Sequence, residues 1–186
     1  MAVRLKDLSL EQFLALPEKK PALEYEEGRI TQKVSPQEQH GRLQLGVGGL
    51  IDQFAIPRKL AMAFSELRYT FGGRSLVPDL SVFRWSRLPV NAVGKITNKT
   101  ARPPDLVVEI VSPEQSARVL ARRCSWLVAN GIAVALLIDP EDESILSFRP
   151  NQITAPLRGS DRIDLDDILP GFILTVHDVF NLLMTE

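Results

Sequence analysis

The stretch "ARPPDLVVEIVSPE", residues 101–114, sets a carboxylate in the middle of what reads as a core strand. Leu106 to Val111 are apolar and mostly β-branched except for Glu109. Pro103-Pro104 bounds one end of the run and Ser112-Pro113 the other, which is the composition of a short strand. Apolar residues on both alternations imply that both faces are covered, as in the centre of an α/β layer. An unpaired carboxylate at such a place would cost several kcal/mol. Glu109 therefore needs a partner or a purpose.

Working outward, residues from about Glu114 to Asn130 read as a helix. Val119, Leu120, Cys124, Leu127 and Val128 form its apolar side and Gly131 stands just past its end. "IAVALLID" is a second buried strand, followed by a turn and "SILSFRP". Strand, helix and strand over residues 104–138 predict a crossover between parallel neighbours. Upstream, Ser9 and Gln12 suggest a capping box on a short helix. "ALEYEEGRITQKVS" reads as a hairpin turning at Glu27-Gly28. Apolar residues at helical spacing predict an amphipathic helix from about Gln37 to Phe54, whose Gly46, Gly48 and Gly49 would let it lie close to the sheet. "LAMAFSELRYTF" and "SLVPDLSVF" read as two strands joined at Gly72-Gly73. Short pieces around Ile163 and Ile173 and a helix from about His177 to Met184 close the chain. The expected fold is α/β, a central mixed sheet flanked by helices, in a single domain over residues 1–186.

Hydrophobic residues make up 45% and charged residues 24% of the 186, an ordinary globular composition with no disordered segment. No run predicts a signal peptide or a membrane span. One cysteine, Cys124, excludes an internal disulfide, and a cytoplasmic setting is expected. The net charge of -1 does not suggest a nucleic-acid binder, but its distribution partly does. Arg84, Arg87, Lys95, Lys99 and Arg102 follow one another with no acid between them. The segment reads either as a solvated loop or as a track for phosphates.

Asp105, Val107, Glu109 and Val111 share one strand face. The other acid embedded in an apolar strand is Asp79, in "VPDLSVF". If the two strands are neighbours, the acids converge, and two such carboxylates repel unless a cation holds them ionised. Mg²⁺ or Mn²⁺ suits that role, being a hard ion that accepts one or two carboxylates and keeps several waters. The bland alternative is that Asp79 bonds backbone groups and Glu109 pairs with an arginine. His40 could contact phosphate or a metal's surroundings, or simply be a polar surface histidine. Glu66 is a candidate partner of Arg68 or a site arginine. His177, Asp178 and Cys124 need no chemistry.

Proline-aspartate at Pro78-Asp79, then about thirty residues later Glu109-x-x-Ser112, resembles the PD-(D/E)XK nuclease superfamily. Within it, "LEYEEGRI", "VSPQEQHG", "VPDLSVF", "PPDLVVEIVSPEQS", "NGIAVALLIDP" and "DILPGFILTV" resemble the putative restriction endonuclease family, over most of residues 8–183. The resemblance implies a restriction-endonuclease-like fold, a divalent metal on Asp79 and Glu109, and Glu24 as the acid from the N-terminal part. It also implies a metal-dependent DNA endonuclease, with DNA as partner, no membrane, and a homodimer left open. Two departures stand out. The simplest pattern has a lysine two residues after the glutamate, where this chain has Val111. Many relatives supply it from the following helix, eight residues before the terminal glycine, where this chain has Arg123. Arginine keeps the charge and can brace a phosphate but is no base at neutral pH. The competing expectation is an inactive nuclease fold that binds nucleic acid or protein.

Overall fold

The computed structural model describes residues 8–97, 102–113 and 115–185. Among the described residues, ten strands and four α-helices run in the order α1 (Leu10–Leu14), β1 (Leu23–Glu26), β2 (Arg29–Gln32), α2 (Glu38–Ala55), β3 (Ala61–Ser65), β4 (Tyr69–Phe71), β5 (Arg74–Leu76), β6 (Leu80–Arg84), β7 (Leu106–Ile110), α3 (Ala117–Ala129), β8 (Val134–Asp139), β9 (Ser144–Arg149), β10 (Gln152–Ile153) and α4 (Val176–Phe180). One sheet has the order β10-β9-β8-β7-β6-β3 and a second the order β2-β1-β5-β4.

All five residues of β7 are buried. Leu106, Val108 and Ile110 pack into a core with Leu43, Val47 and Ile51 of α2. Val107, on the opposite face, packs with Leu120, Cys124 and Leu127 of α3. Strand alternation thus divides β7 between two cores, which is why no polar residue marks either face until Glu109. β7 runs parallel to β8, with Leu106 opposite Val134 and Ile110 opposite Ile138, and antiparallel to β6, with Leu80 opposite Val108. α3 makes the crossover. It starts at Ala117 after the extended residue Ser116, three positions later than the spacing predicts. α1 carries the predicted capping box on Ser9 and Gln12, and α4 a second one on Thr175 and Asp178.

The two long strands expected over residues 60–83 are each broken, and their halves belong to different sheets. β3 pairs with β6 in the six-stranded sheet, while β4 pairs with β5 in the other. Glu66 adopts a left-handed φ of 49° at the first break, a conformation costly for a residue with a Cβ. Pro78, at the second break, has no amide to give the ladder. Asp79 sits at this corner, where the chain passes from one sheet to the other. The hairpin at Gly72-Gly73 is as expected, with φ of 57° and 78°. A Cβ on Gly72 would fall 2.8 Å from the Trp126 ring, so space as well as φ demands glycine there. Of the α2 glycines, Gly48 faces Leu80 of the sheet, but Gly46 faces Leu182 near the C-terminus.

Candidate active site

Three acids from three separate elements converge at the corner between the sheets. Glu24 of β1, Asp79 before β6 and Glu109 of β7 are each no more than 3% exposed. The ladder between β6 and β7 places Asp79. In the register Leu80 to Val108, Ile110 would stand opposite Pro78, but the chain has turned away there. The Asp79 carboxylate takes the orphaned amide instead, Ile110 N donating to Oδ2 at 2.8 Å. Its Oδ1 accepts from Lys33 Nζ at 2.7 Å and faces His40 Nε2 at 3.2 Å. Its backbone carbonyl accepts from the Gln44 side chain at 2.8 Å.

Arg123 reaches across from α3 to the other two acids. Nη1 and Nη2 donate to Glu24 Oε1 at 3.1 Å and Oε2 at 2.6 Å, the two-pronged geometry a guanidinium favours. Nη1 also approaches Glu109 Oε1 at 3.4 Å, and Nε lies 3.2 Å from Glu26 Oε1. Glu24 is further fixed by the Val77 amide at 2.8 Å. Arg123 thus reaches past the edge of the core to the carboxylates, but its fork is spent on Glu24.

The cluster is short of positive charge. Four carboxylates (Glu24, Glu26, Asp79 and Glu109) face three permanent cations, Lys33, Arg123 and Arg74, and Arg74 is shared between Glu26 and Glu27. Burial pushes the Glu109 carboxyl up to about 8, Arg123 only partly opposing it while Asp79 and Glu24 push further. Burial also works on Asp79, but its bond from His40 and the Lys33 charge outweigh it and hold that carboxyl below its usual range. Burial disfavours the Lys33 ammonium too; Asp79, Glu109 and Glu24 outweigh it and keep Lys33 charged. Glu109 is thus tolerated in the core partly by Arg123 and partly by carrying a proton.

Among the described residues no group of three or more His, Cys, Asp or Glu side chains is arranged to hold a metal. A closed protein cage is therefore not what this donor set offers. Two hard carboxylates in a charge-deficient corner do fit an ion of the Mg²⁺ type, which takes one or two carboxylates and keeps its waters. Asp79 and Glu109 would be the holders.

His40 is not a surface residue. It is 7% exposed on α2, with Nε2 facing Asp79 and Nδ1 2.9 Å from Ser112 Oγ. Lys33 is the residue the sequence reading missed. The hairpin carried a signal for it: the two-residue turn fixes Glu24 opposite Thr31 and Glu26 opposite Arg29. Alternation then puts Lys33 on the same face as both acids. Glu66 has Lys33 as its ionic partner at 3.8 Å, while Arg68 pairs with Glu18.

The basic segment lies elsewhere. Arg84 Nη1 and Arg87 Nη1 hold the buried Asp105 at 3.2 and 2.6 Å, and Arg87 also donates to the Pro103 carbonyl. Asp105 opens β7 and Arg84 ends β6, so this cluster sits at the opposite end of the strand pair from Asp79. Five residues of strand separate the two ends, roughly 16 Å. Lys95 and Arg102 are exposed, and Lys99 lies outside the described residues.

This fold, with an acid-rich corner where the sheets meet, is that of the restriction-endonuclease-like nucleases. Residues 10–177 match Uma2, described as putative restriction endonuclease, and the chain belongs to that family. The crystal structure of a putative nuclease belonging to DUF820 from Anabaena variabilis is similar, with a TM-score of 0.89 and 36% identity. The match covers 95% of this chain and 99% of the other. Comparison with curated proteins gave no match. Among the described residues no helix is long and apolar enough to cross a membrane.

Proposed function

We propose that this nuclease-like chain is a metal-dependent DNA endonuclease hydrolysing phosphodiester bonds at Asp79 and Glu109. One observation carries the reading: three carboxyl groups from three elements meet in a buried corner with two permanent cations between them, one fewer than their full ionisation requires. A structural ion-pair network would be expected to balance itself. Family membership supports the nuclease class, and a DNA substrate, Mg²⁺ or Mn²⁺ dependence and attenuation are parts of the proposal.

Asp79 and Glu109 would hold the ion, which when bound supplies a water of lowered pKa and offsets charge developing on the phosphate. The chain's own residues set the stage. Ile110 N and Gln44 fix the Asp79 side chain and backbone. Arg123 fixes both Glu24 oxygens beside Glu109. Val111 cannot act on water, and the Arg123 guanidinium, whose pKa its acid partners raise further, is no base. Attenuated turnover follows from that pair. The same facts favour a second reading, an inactive nuclease fold retained for binding.

Plasmid cleavage in Mg²⁺, Mn²⁺ or EDTA, with Mn²⁺ calorimetry in parallel, tests the proposal. The parent is expected to bind Mn²⁺ and nick DNA slowly, and Asp79→Ala to do neither. Equal Mn²⁺ binding by parent and variant would remove Asp79 from the site. Metal binding without cleavage of any nucleic acid would leave the second reading.

A further inference from the structure

Two cavities are lined by residues that bond Asp79, one by His40 and the other by Lys33 and Gln44. The smaller, about 750 Å³, is lined by His40 together with Ser112 and three acids, Glu38, Asp139 and Glu141, and among the described residues by no lysine or arginine. The larger, about 1100 Å³, lies between α2 and the N-terminal segment and is lined by Lys19, Lys20 and Lys33. Its acids are already engaged: Glu18 with Arg68, Asp52 with the Ala63 amide and Glu66 with Lys33. Glycines 41, 48 and 49 form part of its α2 wall, and beside Gly41 and Gly49 the space where a Cβ would sit is open.

We propose that this groove is where a nucleic-acid strand enters the site, and that Lys33 is the positioning residue that meets its phosphate. Lys33 is the charged side chain that joins the groove to the acids, lining the one and holding the Asp79 carboxylate at 2.7 Å, beside Gln44, which also lines the groove and donates to the Asp79 carbonyl. It brings a primary amine to a site that lacks the motif lysine at Val111 and has arginine at 123. A polyanion is repelled by the acid-lined cavity. The basic segment cannot guide it directly, because Arg84 and Arg87 hold Asp105 at the far end of the strand pair. The bared face of α2 lets a backbone approach closely, and the lysines supply the counter-charge. The inference rests on the nuclease reading above.

Binding of fluorescein-labelled single-stranded and duplex DNA, followed by anisotropy over a salt series with Ca²⁺ replacing Mg²⁺, tests it. Gly49→Phe projects a ring into the groove from a position where a Cβ meets nothing within 4 Å; with its fold checked by thermal melting, it is expected to weaken binding roughly tenfold. Lys33→Met should lower the log–log salt slope by about one, and Lys33→Arg should restore it. Thermal melting separates a misfolded Lys33→Met from an informative one; if it misfolds, Gly49→Phe decides. Parental affinity in Gly49→Phe overturns the groove, as does a loss confined to Lys95→Ala. An unchanged slope in folded Lys33→Met overturns the role of Lys33. If the parent binds no nucleic acid, the nuclease reading fails first and this inference with it.

Discussion

The strand pair β6–β7 carries a buried acid cluster at each end, and the two ends have opposite charge balance. At one end Asp105, 1% exposed, receives two arginines and the backbone amide of Arg84 at 2.9 Å. One negative charge meets two positive ones, and the arginines remain partly in water. At the other end Glu24, Asp79 and Glu109 share Lys33 and Arg123, and Glu109 keeps a proton to well above the usual carboxylate range. Both ends show buried acids beside basic residues, which is all that sequence can display. What distinguishes a structural ion pair from a candidate site is the shortage of counter-charge.

The largest effect is expected from Arg123. Arg123→Ala strips Glu24 of its fork and Glu109 of its one close cation, leaving buried carboxylates uncompensated. A loss of about 3–5 kcal/mol is expected in chemical denaturation. Arg123→Lys keeps the charge but cannot grip both Glu24 oxygens and Glu26 together, costing about 1.5–3 kcal/mol. It should nonetheless retain or raise any Mn²⁺-dependent cleavage, because it puts a lysine where relatives have one. Near-parental stability in Arg123→Ala would mean that the acid-rich end is not short of charge.

The second effect reads the acid-rich end by pH. The Glu109 carboxyl is raised from 4.5 to about 8 on folding. Between those values the folded chain holds a proton that the unfolded chain has lost. This contribution to stability is therefore fully present below about pH 4.5 and falls as pH rises toward 8. The slope is about 1.4 kcal/mol per pH unit for one proton. Glu109→Gln should flatten the profile of melting temperature against pH over that window. Added Mn²⁺ should stabilise the parent more at pH 8 than at pH 6, since it competes with that proton.

Much of this architecture was legible, and the failures have local causes. β7, α3 and β8 were readable because burial on both faces leaves an uninterrupted apolar run. Asp79 and Glu109 stood out because each is a charge inside such a run. The broken strands were not readable: Glu66 looks like an ordinary polar strand residue until its φ is seen, and period-2 alternation continues across Pro78. Lys33 was hidden because a lysine ending a short hairpin is usually solvated, and only the register shows which acids it faces. The ion pairs of Arg84 and Arg87 were hidden for a related reason. Their partner, Asp105, is 21 and 18 residues away in sequence, so a run of bases looked unopposed.

The smallest effect should come from Arg84, and it sharpens the comparison most. Arg84→Ala removes the Nη1 bond to Asp105 and the Nη2 bond to the Asp167 carbonyl. The backbone amide of residue 84 survives the substitution and still donates to Asp105, and Arg87 still holds the acid at 2.6 Å. The carboxylate is never left unpaired, and the lost side chain is 39% exposed. A cost under about 1 kcal/mol is therefore expected, a melting shift of only a few degrees at most. The same variant reports on binding. If the Asp105 end is purely structural, the salt dependence of DNA affinity is unchanged, because no phosphate contact is lost. A log–log slope reduced by about one would mean that Arg84 leaves Asp105 for a phosphate when DNA arrives. The surplus positive charge at that end would then belong to the interface, and both ends of the strand pair would face the substrate.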